Sequence, residues 1–170
     1  TIEGIKAASK KYLIKTRTNT LFVNNHLLSI FNEIPTNSIL ENYIFTIDLF
    51  SRDPYKSFTK SFNDGFLHHP SDIFLMGIKK DISDLFSCPL ATRKIMINKK
   101  GLGILAPEQY LWMSLLIHKK RLKNYKNNLV KYNPVSCYNS EKLIFKNFKI
   151  FNFKTLELKL EDRLINDWMA

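Results

Sequence analysis

Three groups of polar side chains in this sequence could bind a ligand or move a proton, and each abuts an apolar run. Lys15, Arg17, Thr18 and Asn19 follow Tyr12-Leu13-Ile14. Arg17 offers a rigid fork of N–H donors that suits phosphate, so the group fits phosphate or sugar recognition as well as a plain solvated strand end. His68, His69, Ser71 and Asp72 precede Ile73-Phe74-Leu75-Met76-Gly77. Asp72 there is either a turn former or a site carboxylate. Adjacent histidines on an extended chain point in different directions, and no third ligand has useful spacing, so no metal site is assigned. Glu108 follows Pro107 at the start of an apolar stretch. A carboxylate in a first helical turn gains from the dipole whatever its role. If it faces a pocket, burial raises its pKa toward that of a useful general base.

These groups need elements to carry them. Residues 3–11 place Ile5 and Ala8 on one helical face, and a strand runs from Tyr12 to about Arg17. Phe22, Val23, Leu27, Ile30, Phe31 and Ile34 have helical spacing that Pro35 ends. Tyr43–Asp48 is rich in β-formers, and 73–77 is a third apolar strand. A short helix over 79–86 turns Ile78, Ile82, Leu85 and Phe86 inward. The longest helix runs from Pro107 to about Asn124, with Leu111, Leu115 and Leu122 inward. The tail alternates in part at Phe148, Ile150, Leu156, Leu158 and Leu160, and Ser140-Glu141 could cap a helix through Phe145. Two stretches are irregular: 51–70, with the turn signal Asn63-Asp64-Gly65, and 89–105, with Gly101-Leu102-Gly103. The latter lacks the dinucleotide fingerprint GxGxxG. Strands alternating with helices predict an α/β class with a mixed, partly parallel sheet flanked by helices. Arg17 and Asp72 are expected on one edge of that sheet, since ligands in open α/β folds gather at strand ends.

Composition bounds the function. The chain has 170 residues, 45% of them hydrophobic, which is enough for one globular domain with a sizeable core. The domain expected is 1–170, as a piece of a larger α/β domain, because the first helix has no strand before it. Twenty-six basic against 15 acidic residues give a net charge of +11, which favours anionic partners. The 13 Phe against 5 Gly, with abundant Lys, Asn and Ile, point to AT-rich codon usage that inflates lysine. Lys119-Lys120-Arg121-Leu122-Lys123-Asn124-Tyr125-Lys126 reads as a solvated helix terminus, a contact with an anionic membrane surface, or a nucleic-acid patch. Cys88 and Cys137 are too far apart for a CxxC motif and are expected as free thiols in a reducing compartment. No apolar run is long enough to span a bilayer, so a cytoplasmic location, with peripheral contact to the inner membrane as an option, is expected. Gly-x-Ser-x-Gly, HExxH, Walker A and RNP-type motifs are absent.

Taken in order, Gly4-x-x-x-Ala8-x-x-x-Tyr12-Leu13-Ile14-Lys15-Thr16-Arg17-Thr18, then His69-Pro70-Ser71-Asp72-Ile73-Phe74-Leu75-Met76-Gly77, then Pro107-Glu108-Gln109-Tyr110, resemble the WavE family of lipopolysaccharide-synthesis proteins. The resemblance implies the second half of a GT-A-like glycosyltransferase fold and transfer of a sugar from a nucleotide-sugar donor to a bacterial surface-glycan acceptor. It implies Asp72 or Glu108 as catalytic base, with Asp72 slightly favoured, and Lys15, Arg17, Asn19, His69 and Ser71 as substrate contacts. The family pattern after the first strand reads Arg-Thr-Asp, whereas this chain has Arg17-Thr18-Asn19. An amide in place of the carboxylate weakens the inference of a divalent metal, which prefers carboxylate oxygens. The alternative is a non-enzymatic basic protein, RNA-binding or organellar ribosomal. It would stack bases on Tyr125, Tyr132, Phe145, Phe148, Phe151 and Phe153 amid the cations. Convergence of Lys15, Arg17, Asp72 and Glu108 on one concavity would favour the enzyme.

Overall fold

Two apolar runs with no polar alternation, Ile44–Ile47 and Phe74–Ile78, are buried along their whole length, as strands covered on both faces must be. They are the centre of the sheet in a computed structural model that describes residues 1–18, 20–23, 28–29, 31–49, 51, 67–92, 105–125 and 134–160. In chain order the elements are α1 (Ile2–Ala7), β1 (Tyr12–Thr16), β2 (Thr20–Phe22), β3 (Ile44–Ile47), β4 (Phe74–Ile78), α2 (Lys79–Phe86), α3 (Pro107–His118), α4 (Pro134–Phe145), β5 (Phe148–Phe151) and β6 (Leu158–Leu160). The main sheet has the order β1-β4-β3-β5, and β2 pairs with β6 in a separate antiparallel ribbon. β4 is antiparallel to both β1 and β3, while β3 and β5 are parallel. The class is α/β with a mixed, partly parallel sheet, as the element pattern predicts.

Side chains alternate across this sheet and divide the core into two layers. Ile44, Leu75 and Phe148 face helices and pack with Ile82, Leu85, Trp112, Leu115, Leu116 and Ile144. Phe45, Ile47, Phe74 and Met76 face the other way, against Phe153, Leu156 and Leu158 beside the β2–β6 ribbon. Trp112 meets Phe148 edge-on at 4.9 Å in the first layer, and Phe22 reaches Phe74 from the ribbon at 6.2 Å.

Two elements differ from their sequence reading. The helix expected from Phe22 to Ile34 is not formed at either end. Phe22 lies in β2, paired with Leu158, and residues 31–34 are non-helical. Tertiary contacts override the local spacing there: Phe31 sits edge-on between Tyr12 (5.2 Å) and Phe45 (5.1 Å), and Glu33 accepts from Tyr12. The longest helix stops at His118, not near Asn124. Lys120 turns left-handed (φ 56°) and the Arg121 N–H closes back on the Leu116 carbonyl at 2.7 Å, an end of Schellman type formed without glycine. Leu115 is buried as expected, while Leu111 and Leu122 pack against the same core from its rim. The Asn63-Asp64-Gly65 and Gly101-Leu102-Gly103 turns, Lys126 and Tyr132 lie outside the described residues.

Candidate active site

The antiparallel pairing of β1 with β4 builds the site. Thr16 pairs with Phe74, so the residues leaving β1 run alongside those entering β4. Arg17 and Asp72 therefore meet at one sheet edge, as expected. Lys15 Nζ lies 3.1 Å from Asp72 Oδ2 and also donates to the Asp72 carbonyl, and Arg17 Nη2 lies 3.3 Å from Asp72 Oδ1. The same Arg17 nitrogen is 3.6 Å from Glu108 Oε1, and His69 Nε2 is 3.9 Å from Glu108 Oε2. Lys15, Arg17, His69, Asp72 and Glu108 thus form one cluster drawn from β1, the entry to β4 and the first turn of α3. Asn19 lies outside the described residues.

Supporting contacts fix this geometry. Ser71 is buried, and its hydroxyl accepts the Ile73 N–H at 3.2 Å, turning the chain into β4 with Asp72 at the bend. The Ser71 N–H donates to Ser51 Oγ at 3.0 Å, and Thr46 Oγ1 lies 3.1 Å from the Ser71 carbonyl. Pro107 opens α3, where a missing N–H costs nothing. Gln109 Oε1 accepts the Ala106 N–H at 3.0 Å, and its Nε2 donates to the Leu67 carbonyl at 2.8 Å, clamping α3 to the histidine segment. His68 has a left-handed backbone (φ 56°), and its N–H donates to Ser140 Oγ at 2.6 Å. No local pattern marks Thr46, Ser51 or Ser140 as supports of the site, because the partners they hold there are 20 or more residues away. Gln109 was visible only as the neighbour of Glu108.

The two carboxylates share Arg17 and interact with each other, and their acidities are driven apart. Burial opposes the Asp72 charge, but Lys15, by its charge and its hydrogen bond, the hydrogen bond with Glu108, and Arg17 outweigh it. Its pKa is held below the ordinary aspartate value. Glu108 moves the other way. Burial, and then the charge and hydrogen bond of Asp72, raise its pKa against the opposing pull of a backbone hydrogen bond and Arg17. A pair of carboxyl groups so divided keeps one as the fixed anion and gives the other the stronger hold on a proton. Arg17 is 41% exposed, and its contacts with the carboxylates among the described residues run through Nη2, so its other N–H groups are the ones placed to meet an anion.

Among the described residues no three His, Cys, Asp or Glu side chains are placed to hold a metal ion, and no helix is long and apolar enough to cross a membrane. Comparison with curated proteins and with solved structures gave no match. The family model described as WavE lipopolysaccharide synthesis matches residues 1–168, covering β1, the entry to β4 and the start of α3 together. The chain belongs to the WavE lipopolysaccharide-synthesis family.

Proposed function

We propose that this protein transfers a sugar from a nucleotide-sugar donor to a surface-glycan acceptor, with Glu108 as general base. The observation that carries the reading is the coupled pair: an Asp72 anion locked by Lys15 and Arg17 beside a Glu108 carboxyl of raised pKa. In the transfer, Glu108 takes the proton of the acceptor hydroxyl as that oxygen bonds to the anomeric carbon, and the bond to the leaving nucleoside diphosphate breaks. The remaining Arg17 donors neutralise the diphosphate, a charge-assisted contact that strengthens as the leaving group forms. Asp72 keeps Lys15 and Arg17 in register, Ser71 sets the bend that presents it, and His69 orients Glu108 from behind. The family's tie to lipopolysaccharide synthesis supports the acceptor class. The reading carries with it a cytoplasmic site working at the membrane surface where such glycans are built.

The test is nucleotide-sugar turnover by the full-length protein on a lipopolysaccharide acceptor. Glu108→Gln should lower kcat about 10²–10⁴-fold, as loss of a general base does, while donor binding is retained. Asp72→Asn should chiefly weaken donor binding by loosening Arg17. Full activity in both variants, or salt-sensitive RNA binding without sugar turnover, would overturn the proposal.

A further inference from the structure

A cleft lies apart from the carboxylate pair, neither of whose residues lines it. Its volume is about 410 Å³, and its lining includes Asn37 and Ser38, His68, Arg121 and, from α4 and the turn after it, Asn139, Lys142 and Lys146. That volume is in the range of small-ligand sites. Every charged side chain lining it is cationic. Asn139, Lys142 and Lys146 recur at intervals of three and four residues, so they form a single stripe that α4 presents to the cleft. Among the described residues none of the ion pairs involves Arg121, Lys142 or Lys146.

The loop that lends Asn37 and Ser38 to the cleft is held in place from behind. Asn147, fully buried, accepts the N–H groups of Ile39 and Leu40 at 3.0 Å each and donates to Ser38 Oγ at 3.0 Å. It thereby fixes the 37–40 loop against the end of α4. His68 is only 3% exposed, and its buried Nδ1 has no hydrogen-bond partner among the described residues. Such an orphan costs free energy unless a ligand uses it. The left-handed backbone of His68 has the same sense, since it is strain held at a cleft. Clamped by Ser140 on its own N–H and by Gln109 on the Leu67 carbonyl, this segment directs His69 to Glu108 while His68 lines the cleft.

We propose that this cleft binds the phosphate group of a soluble sugar phosphate, with Arg121, Lys142 and Lys146 neutralising the anion and His68, Asn139 and Ser38 hydrogen-bonding its ester or sugar oxygens. A guanidinium fork with two ammonium groups matches a dianionic phosphate, and the neutral hydrogen-bonding groups between them suit hydroxyls. Burial lowers the His68 pKa to about 4, so at neutral pH the imidazole is uncharged and offers one donor and one acceptor. The inference stands on the cleft alone and holds whether or not the transfer reaction is correct.

The test is calorimetric titration of the full chain with glucose 6-phosphate, with glucose, inorganic phosphate and phosphatidylglycerol vesicles as separate arms. Saturable binding of glucose 6-phosphate, tighter than inorganic phosphate and absent for glucose, is expected. Lys142→Gln with Arg121→Gln should weaken it at least about 10-fold, because each removes a charge-assisted hydrogen bond. His68→Asn, which tolerates the left-handed backbone, should weaken it less. Arg17→Gln, in the other site, should leave it unchanged. Both cation positions are exposed, so circular dichroism of the double variant should match the parent and exclude misfolding. No saturable binding, binding confined to vesicles, or binding unaffected by the double substitution would overturn the proposal.

Discussion

At the scale of single residues, the functional question is which carboxylate keeps its proton. Spacing alone slightly favoured Asp72 as base, because it follows a long irregular segment, whereas the helix dipole already accounts for Glu108. The surroundings of the two groups shift them in opposite directions, which is why the proposed base is Glu108. The difference has a stability signature. Because the folded-state pKa of Glu108 is raised, the native state favours its neutral form. Its ionisation costs no stability below the unfolded carboxylate pKa of about 4.3, and the full cost is present above the raised native value. Glu108→Gln removes that cost. The gain in melting temperature over the parent should therefore be larger at pH 8 than at pH 4. A gain independent of pH, or larger in acid, would contradict the assignment. Asp72 has the opposite sign: its lowered pKa contributes stability at neutral pH that is lost as acid titrates it.

Elements were more legible than their ends. β3 and β4 follow directly from apolar runs of the right length, α2 from the helical spacing of Ile82, Leu85 and Phe86, and Pro107 marks the start of α3. The end of α3 was hidden because Lys120 takes the left-handed position usually given to glycine, which no residue type announces. The ends of the 22–34 helix were misread, Leu28 and Ser29 alone being helical among its described residues, because helical spacing of apolar residues also arises when Phe22 and Phe31 pack separately on a sheet. The site was legible as three clusters. The meeting of Arg17 and Asp72 at one sheet edge was expected from strand-end placement; the antiparallel β1–β4 pairing that brings it about, and the approach of Glu108, were not, since hydrophobic pattern does not report strand direction. α3 links this site to the helical core, with Glu108 in its first turn and Leu115 two turns on, 4% exposed against the sheet. Leu115→Ala should lower stability by about 2–5 kcal/mol, the range for deleting a buried leucine side chain. It should appear as a lower urea midpoint with unchanged slope. An unchanged midpoint would remove Leu115 from the core.

At the scale of the whole molecule, the sheet is the wall shared by two apolar layers. β4 gives Leu75 to the helical layer and Phe74 and Met76 to the ribbon layer, and β3 divides Ile44 from Phe45 and Ile47 in the same way. Neither layer keeps its packing if the other loses β3 and β4, so the two should unfold together. The supporting polar contacts have the same reach. Asn147 ties the 37–40 loop to the end of α4, and Asp81 on α2 accepts the Glu41 and Asn42 N–H groups at 3.0 and 2.8 Å. In a Trp168→Phe background, Trp112 is the sole tryptophan and reports the helical layer. Its fluorescence transition in urea should coincide with the far-ultraviolet dichroism of the whole chain, as a single cooperative unit requires. Phe45→Ala, made in the opposite layer, should shift both transitions by the same amount. A Trp112 transition that stays in place while the dichroism moves would mean that the layers fold independently, and that the sheet edge holding Arg17, Asp72 and Glu108 is not fixed by both.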